Sequence, residues 1–210
     1  MFERWAEVEL DLRVEATMAL DDGRAPAAML VAFDEHAPVS VVELRPMASG
    51  ELLQALVEVI SLLLPLGARR LALALPGQVR EEHAAPSAAD AQVGDGPLLV
   101  VASADGAGTR PASLRARVLP LTHDGTCWQW REDGEVEIDA AAWDVTRALG
   151  VLLDAPRRLL GTDAQERREL QAQLARCLLL GHVVVLAPGM ADRLEPARRD
   201  QGAADLSPPG

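Results

Sequence analysis

A histidine, a cysteine and several acids occur within one short span of the sequence, THDGTCWQWREDGE at residues 122–135. His123 beside Asp124 could act as a base oriented by a carboxylate, and Cys127 could supply a thiol, which together are the elements of nucleophilic catalysis. The spacing disfavours this chemistry, because Asp124 and Gly125 form a hairpin signal that places His123 and Cys127 on opposite sides of a turn. The span therefore predicts turns around a short strand rather than a catalytic site.

A second group of acid and histidine side chains, Asp34, Glu35 and His36, could bind a metal ion. Adjacent residues project in different directions, so they rarely converge on one ion without distant partners. The segment DEHAP therefore predicts a turn, and no metal site is expected unless His123 and Asp124 come alongside. His36, His123 and Asp124 are the candidates for catalytic residues.

Other signatures of familiar chemistry are missing or incomplete in the sequence. The glycine-rich stretch DGAGTRP at 105–111 follows a predicted strand, but the chain holds no lysine to contact a phosphate, and Pro111 interferes with the start of a helix. His83 and His182 lack a partner at ligand spacing, and Cys177 is expected to be a small core residue. No common zinc, thiol-redox, nucleophile-elbow, Walker or dinucleotide motif occurs, so the sequence predicts no cofactor and no metal.

Composition narrows the class of protein. The 210 residues are 49% hydrophobic and 25% charged, which is typical of a folded globular chain. A formal net charge of -12 argues against nucleic acid and against anionic membrane surfaces as partners. No apolar run is long enough to span a bilayer, and the acidic stretch MFERWAEVEL does not resemble an export signal. Cys127 and Cys177 stand far apart, as reduced thiols do, so a cytoplasmic protein is expected.

Residues 8–18 have an ambiguous pattern. Apolar and polar residues alternate without a break in VELDLRVEATM, which is the period of a half-buried strand. The residue types themselves favour a helix. We predict a strand here and keep the helix as the alternative.

Turn signals and apolar periodicity divide the rest of the chain into elements. In the first half they predict strands at 27–33, 39–44 and 70–75, and a helix from an N-cap at Ser49 to about Leu64. In the second half they predict strands at 97–103, 114–121, 126–131, 135–138 and 183–187, a helix at 140–153 capped by Asp139, and a helix from Thr162 or Asp163 to about Leu180. Two hairpin signals, Asp124–Gly125 and Asp133–Gly134, flank the strand TCWQWR, in which Trp128 and Trp130 share the face expected to pack inward.

The two halves show a similar order of elements, and a segment of different composition separates them. Residues 81–96 are small, acidic and without periodicity, as in a linker or a long surface loop. We therefore predict one α+β half at 1–80, a second at 97–188 and a disordered tail at 189–210. The predicted fold class is α+β, with a mixed, mainly antiparallel sheet or sheets and packed helices. The similarity of LGARRLALALPG to LLGHVVVLAPG suggests a duplicated β-β-β-α-β unit.

The missing catalytic motifs and the many strands with pairable edges favour a non-catalytic binding or assembly protein that acts through protein–protein contacts. Its partner is expected to be a second copy, as a homodimer, or a protein that offers a basic or apolar surface. The alternative is a hydrolase of unrecognised type, in which the two acid-histidine turns meet in a cleft between the halves. An enzyme fold that has lost its activity and regulates another protein is a third hypothesis.

Overall fold

The fold combines helices with one antiparallel sheet over the part of the chain that the computed structural model describes, which comprises residues 3–35, 37–48, 50–78, 97–106, 112–131, 135–140, 143–154 and 164–190. In chain order the elements are α1 (Glu3–Asp21), β1 (Met29–Phe33), β2 (Pro38–Glu43), α2 (Leu52–Leu63), β3 (Arg70–Gln78), β4 (Pro97–Asp105), β5 (Ser113–His123), β6 (Trp128–Trp130), β7 (Val136–Ile138), α3 (Asp144–Asp154), α4 (Ala164–Leu179) and β8 (Val183–Leu186). The predicted fold class, α+β with an antiparallel sheet and packed helices, is confirmed.

All of these strands belong to one open sheet. Their order across it is β6-β5-β4-β3-β1-β2-β8, and β7 pairs with β5 on the same side as β6. Every neighbouring pair is antiparallel. Each strand predicted outside residues 8–18 has a counterpart in this sheet.

The two predicted halves are joined through the middle of the sheet. β3 pairs with β4 along its whole length, from Arg70 opposite Asp105 to Gln78 opposite Pro97. The last strand, β8, pairs with β2 of the first half rather than with a strand of its own half. This order differs from two repeats of one unit, and the duplication is not confirmed. Residues 81–96 lie outside the described residues, so the linker and the division at this point stay predictions.

The described helices cover the two faces of the sheet unequally. Because side chains alternate along a strand, Leu30 and Ala32 of β1 face one side, while Val31 and Phe33 face the other. The first side packs against α2, α3 and α4 and contains most of the buried leucines. The second side packs against α1, which contributes Leu12 and Ala16. Since burying a leucine contributes about 1.5–3 kcal/mol, the first side supplies most of the hydrophobic stabilisation.

Residues 8–18 form part of helix α1, so the predicted strand is wrong and the alternative is correct. The helix-favouring residue types prevail over the alternation, and the chain after them supplies a helix end. Gly23 adopts a φ of 70° and donates its N–H to the Leu20 carbonyl, while Arg24 donates to the Ala19 carbonyl. This is the Schellman pattern, in which a glycine satisfies carbonyls that the helix leaves unpaired.

Winding the alternating pattern into a helix creates two apolar stripes. Residues four apart lie close together on a helix, whereas residues two apart lie on nearly opposite sides. Leu12 and Ala16 therefore pack onto the sheet, while Leu10, Val14 and Met18 are exposed. The same pattern that imitates a strand thus gives α1 one buried and one exposed apolar stripe.

Four charged side chains join α1 to the sheet in a closed ring, which we call the Glu9 ring. Glu9, only 5% exposed, accepts hydrogen bonds from Arg13 at 2.7 Å and from Arg117 of β5. Glu135, directly before β7, pairs with Arg13 at 2.6 Å and with Arg117 at 3.2 Å. The Arg13 guanidinium also lies 5.6 Å from the centre of the Trp130 ring, an attractive cation–π geometry. Charges alternate around the ring, so each buried charge has an opposite neighbour.

Of the predicted helix caps, Ser49 lies outside the described residues and Asp139 does not start a helix. Helix α2 begins after Glu51. Asp139 does not cap α3, which begins at Asp144, because the chain leaves β7 at Ile138 and must first cross to the helical layer. Several other predicted features also lie outside the described residues. They are Asp133–Gly134, Thr162, Asp163, residues 107–111 of the glycine-rich stretch, and the tail from 191 onward.

None of the described helices has both the length and the apolar character needed to cross a membrane.

We expect Glu9→Gln to lower the free energy of unfolding by about 1–3 kcal/mol, because a neutral amide at this buried position weakens hydrogen bonds to two guanidinium groups. Glu7→Gln is the matched control, since it removes the same charge from an exposed position of α1 and should change stability by no more than about 0.5 kcal/mol. Urea denaturation followed by circular dichroism measures both. Equal losses in the two variants would show that the ring does not hold α1.

Candidate functional site

The two acid-histidine turns lie at opposite ends of the sheet. Ser113, the first residue of β5, is at the same end as Phe33, the last residue of β1. β5 then runs through 11 residues to His123, about 35 Å at the ordinary rise of a strand. The turn at 34–38 follows Phe33 directly, whereas the other turn begins at His123. The described residues therefore do not bring the two turns into one site, and His36 lies outside the described residues.

The carboxylate of Asp124 builds the turn between β5 and β6. Its Oδ1 accepts hydrogen bonds from the backbone N–H groups of Thr126 at 2.7 Å and Cys127 at 3.0 Å, and its Oδ2 accepts one from Gln129 Nε2 at 2.6 Å. The bonds from Cys127 and Thr126 lower the pKa of Asp124, because they stabilise the ionised form. Asp124 thus serves the hairpin that its position in the sequence predicts.

His123 and Cys127 are held by the same hairpin. The backbone N–H of Gly125 donates to His123 Nδ1 at 3.1 Å, and the His123 ring packs edge-on against Trp128 with 5.2 Å between centroids. Trp128 and Trp130 are both half-buried, and only Trp130 packs against the core beneath α1. No described hydrogen bond joins His123 to Cys127, so the hairpin does not form a thiol–imidazole pair.

The turn that contains Asp34 is likewise built from its own polar groups. Asp34 Oδ1 accepts a hydrogen bond from the Ala37 N–H at 2.8 Å, and the Asp34 N–H donates to the Ala37 carbonyl at 3.0 Å. Glu35 forms an ion pair with Arg69, the residue directly before β3. Within the described ranges, no group of three or more histidine, cysteine or acidic residues is placed to hold a metal ion.

A buried histidine–carboxylate pair, which the sequence did not indicate, lies on the side of the sheet that packs against α2, α3 and α4. His182 Nε2 is 3.0 Å from Glu58 Oε2, and the His182 side chain is fully buried. The Arg45 N–H donates to His182 Nδ1 at 3.2 Å, so Nε2 carries the ring proton and donates to Glu58. Arg45 Nε also donates to Glu58 at 3.2 Å, and its Nη1 donates to Glu51 at 3.0 Å. We call Arg45, Glu51, Glu58 and His182 the Glu58 cluster.

The end of α4 positions His182. Gly181 adopts a φ of 92° and donates its N–H to the Leu178 carbonyl, and the His182 N–H donates to the Cys177 carbonyl. This second Schellman end turns the chain from α4 into β8 and directs the imidazole into the core. The sequence LLLGH indicates such a helix end, but 124 residues separate His182 from Glu58, and no local signal connects them.

The Glu58 cluster satisfies its own polar groups. Desolvation alone would raise the pKa of Glu58, but the hydrogen bonds from His182 and Arg45 outweigh it and lower that pKa. The Cys177 thiol donates to the Glu58 backbone carbonyl at 3.6 Å, and burial raises its pKa, which disfavours a reactive thiolate. This geometry suits a cluster that ties α2 to the chain after β2 and to the start of β8.

A cavity of about 410 Å³ lies beneath the end of α1, between the two predicted halves. Its lining comes from residues before the 81–96 segment and from residues after it, and the side chains are those of Ala16, Leu20, Ala25, Pro26, Pro76, Pro97, Leu98, Leu99 and Leu121, with the backbone of Gly77. Such a lining can hold an apolar group. It offers no side chain that transfers a proton or binds a metal.

The outer face of α1 combines exposed apolar and acidic side chains. Leu10, Val14 and Met18 are 58%, 45% and 56% exposed and lie four residues apart; we call them the outer α1 stripe. Exposed acids surround the stripe, at Glu7, Asp11, Glu15 and Asp21. Contiguous exposed apolar side chains rimmed by charge are characteristic of an interaction surface.

We expect the free energy of unfolding to fall as the pH drops below about 4.5, the ordinary pKa of a glutamate side chain. Because the folded state lowers the pKa of Glu58, its stabilising contribution is complete above the unfolded-state pKa and is lost as the pH falls through the folded-state pKa. Glu58→Gln should remove this part of the pH dependence and lower the stability at neutral pH by about 1–3 kcal/mol.

Urea denaturation at a series of pH values from neutral to acidic tests this expectation. Glu7→Gln, which changes an exposed acid by the same substitution, should keep the slope of the wild-type protein. The expectation is contradicted when wild type and Glu58→Gln lose stability with the same slope.

Comparisons of the chain with protein-family models, with curated proteins and with solved structures find no match.

Proposed function

We propose that the protein is a non-catalytic binding protein, which holds a basic and apolar segment of a partner protein against the outer face of α1. The observation that carries this proposal is the outer α1 stripe. Its three apolar side chains recur at the spacing with which one helix presents anchors to another, and they lie in solvent.

The charge around the stripe selects the partner. Among the described side chains of α1, at residues 7–21, Arg13 is the only basic one, and the Glu9 ring engages it with two carboxylates. Over residues 7–21, therefore, no basic side chain beyond Arg13 is available to the acids around the stripe, and a partner segment with arginine or lysine beside apolar residues complements both features. The chain's net charge of -12 would also attract such a segment at a distance.

The alternative, a hydrolase, gains less support. Its catalytic residues were expected from two turns that meet in a cleft, and those turns lie at opposite ends of the sheet. The 410 Å³ cavity between the predicted halves is lined by apolar residues. Cys127 and Cys177 are free thiols, which fits the cytoplasmic location that we propose together with the binding function.

A binding titration tests the proposal. The probe is a fluorescein-labelled synthetic helical peptide with a leucine stripe and arginines on both sides of it, and fluorescence anisotropy measures its dissociation constant. We expect Val14→Glu to weaken binding at least tenfold, which corresponds to about 1.4 kcal/mol, because it places a charge in the centre of the stripe.

Val151→Glu is the matched control, because Val151 is 70% exposed on α3 and the substitution changes the net charge equally. It should leave the affinity within about twofold of wild type. If both variants weaken binding to the same extent, the peptide responds to net charge alone and the α1 surface is not the binding site.

A further inference from the structure

The last strand of the sheet, β8, forms an edge that is suited to a second copy of itself. β8 pairs with β2 on one side, with Val41 opposite Val185 and Val42 opposite Val184. Its other side has no neighbouring strand among the described residues. We propose that β8 pairs there, antiparallel, with β8 of a second copy of the chain, so that the protein is a homodimer with one continuous sheet.

The hydrogen-bond pattern identifies the backbone groups available for this pairing. The Ala187 N–H donates to the Val39 carbonyl, and the Ser40 hydroxyl donates to the Val185 carbonyl. The backbone N–H and C=O groups of the odd-numbered residues of β8 therefore point towards β2. Bonding sides alternate along an antiparallel strand, so the N–H and C=O groups of Val184 and Leu186 point away from β2. No described residue hydrogen-bonds to these four groups.

A two-fold axis at Val185 uses all four groups at once. In that register Val184 of one copy lies opposite Leu186 of the other, Val185 lies opposite itself, and each Val184–Leu186 pair exchanges two hydrogen bonds. The arrangement is self-complementary. Val184 and Leu186 lie one position to either side of Val185, so a two-fold rotation about Val185 brings Val184 of each copy opposite Leu186 of the other.

The side chains at this edge favour a neutral, apolar partner. Exposed edge strands are commonly protected from pairing by charged residues or proline, and β8, with the sequence VVVL, contains neither. Val183 and Val185 are 52% and 60% exposed on the face that carries α1. A second copy would bring an equally uncharged edge strand. Pairing of the two β8 strands would therefore place no like charges opposite each other within the strands, in spite of the acidity of the whole chain.

The end of α4 enlarges the apolar surface beyond a four-residue strand. Leu178, Leu179 and Leu180 are exposed directly before the turn into β8, and Leu179 is 88% exposed. An interface of standard size buries about 800 Å² of each partner, which edge pairing alone would not supply. The outer α1 stripe is a poor alternative for self-association, because a second copy would oppose its acids with the same acids.

Sedimentation velocity of the full chain across micromolar concentrations tests the dimer. Wild type should sediment at twice the mass of the chain, and Val185→Lys should sediment at the mass of a single chain, because it places a charge on the two-fold axis. Val151→Lys, which adds the same charge at an exposed valine of α3, should remain a dimer.

Val184→Pro provides a second, independent variant. Proline removes an N–H that points away from β2, so it should dissociate the dimer while the pairing of β8 with β2 remains. Circular dichroism and thermal unfolding would establish that each variant is folded. A monomeric wild type, or a dimer that survives both Val185→Lys and Val184→Pro, would overturn the proposal. Either outcome would leave the binding of a single peptide to α1 unaffected, so the two proposals are tested separately.

Discussion

The side of α1 that meets the sheet buries a carboxylate, whose charge must be compensated there. Glu9 lies on the inward edge of the helix, and only the orientation observed places it between Arg13 and Arg117 with Glu135 closing the ring. Removing one partner from a buried charge leaves the others uncompensated, so this orientation of α1 requires all four members of the ring. With the inward stripe against the sheet, the outer α1 stripe lies in solvent. On the inward side, the small side chains of Ala16 and Ala19 let the helix lie close to the strands.

The surface chemistry follows from that orientation. The same ring that buries Glu9 engages Arg13, and over residues 7–21 it leaves the outer face of α1 with apolar and acidic side chains. On the opposite layer, the Glu58 cluster fixes the turn between α4 and β8 and so holds the edge strand in place against β2. Two polar networks thus hold α1 and β8, two elements whose outward surfaces have no partner among the described residues.

Local signals predicted most elements but not the contacts between them. The strands β2, β3 and β8 and helix α2 were predictable because glycine or proline follows each apolar run closely, and β1 because the polar turn DEHAP follows its run. The Asp124 hairpin was predictable because its turn chemistry is local. Residues 8–18 were misassigned because alternation and helix-favouring residue types compete, and the contact that decides between them, Glu9 with Arg117, spans 108 positions. The pair of His182 and Glu58 was missed for the same reason. A long-range partner leaves no periodic trace in one sequence, so the predicted site residues were those that lie close together along the chain.

The two proposed surfaces differ in chemistry, and this difference lets one chain use both. Like charges around α1 disfavour a second copy there, whereas the proposed pairing of the uncharged β8 would accept one. A two-fold axis that extends a sheet through antiparallel edge strands stands perpendicular to the sheet, so it leaves the same face of both copies on the same side. The two outer α1 stripes of a dimer would then face one direction. A partner with two basic segments could engage both, and the second contact would form at the high effective concentration set by the first. Dimerisation through β8 would in this way strengthen binding at α1 without adding any contact to the binding surface itself.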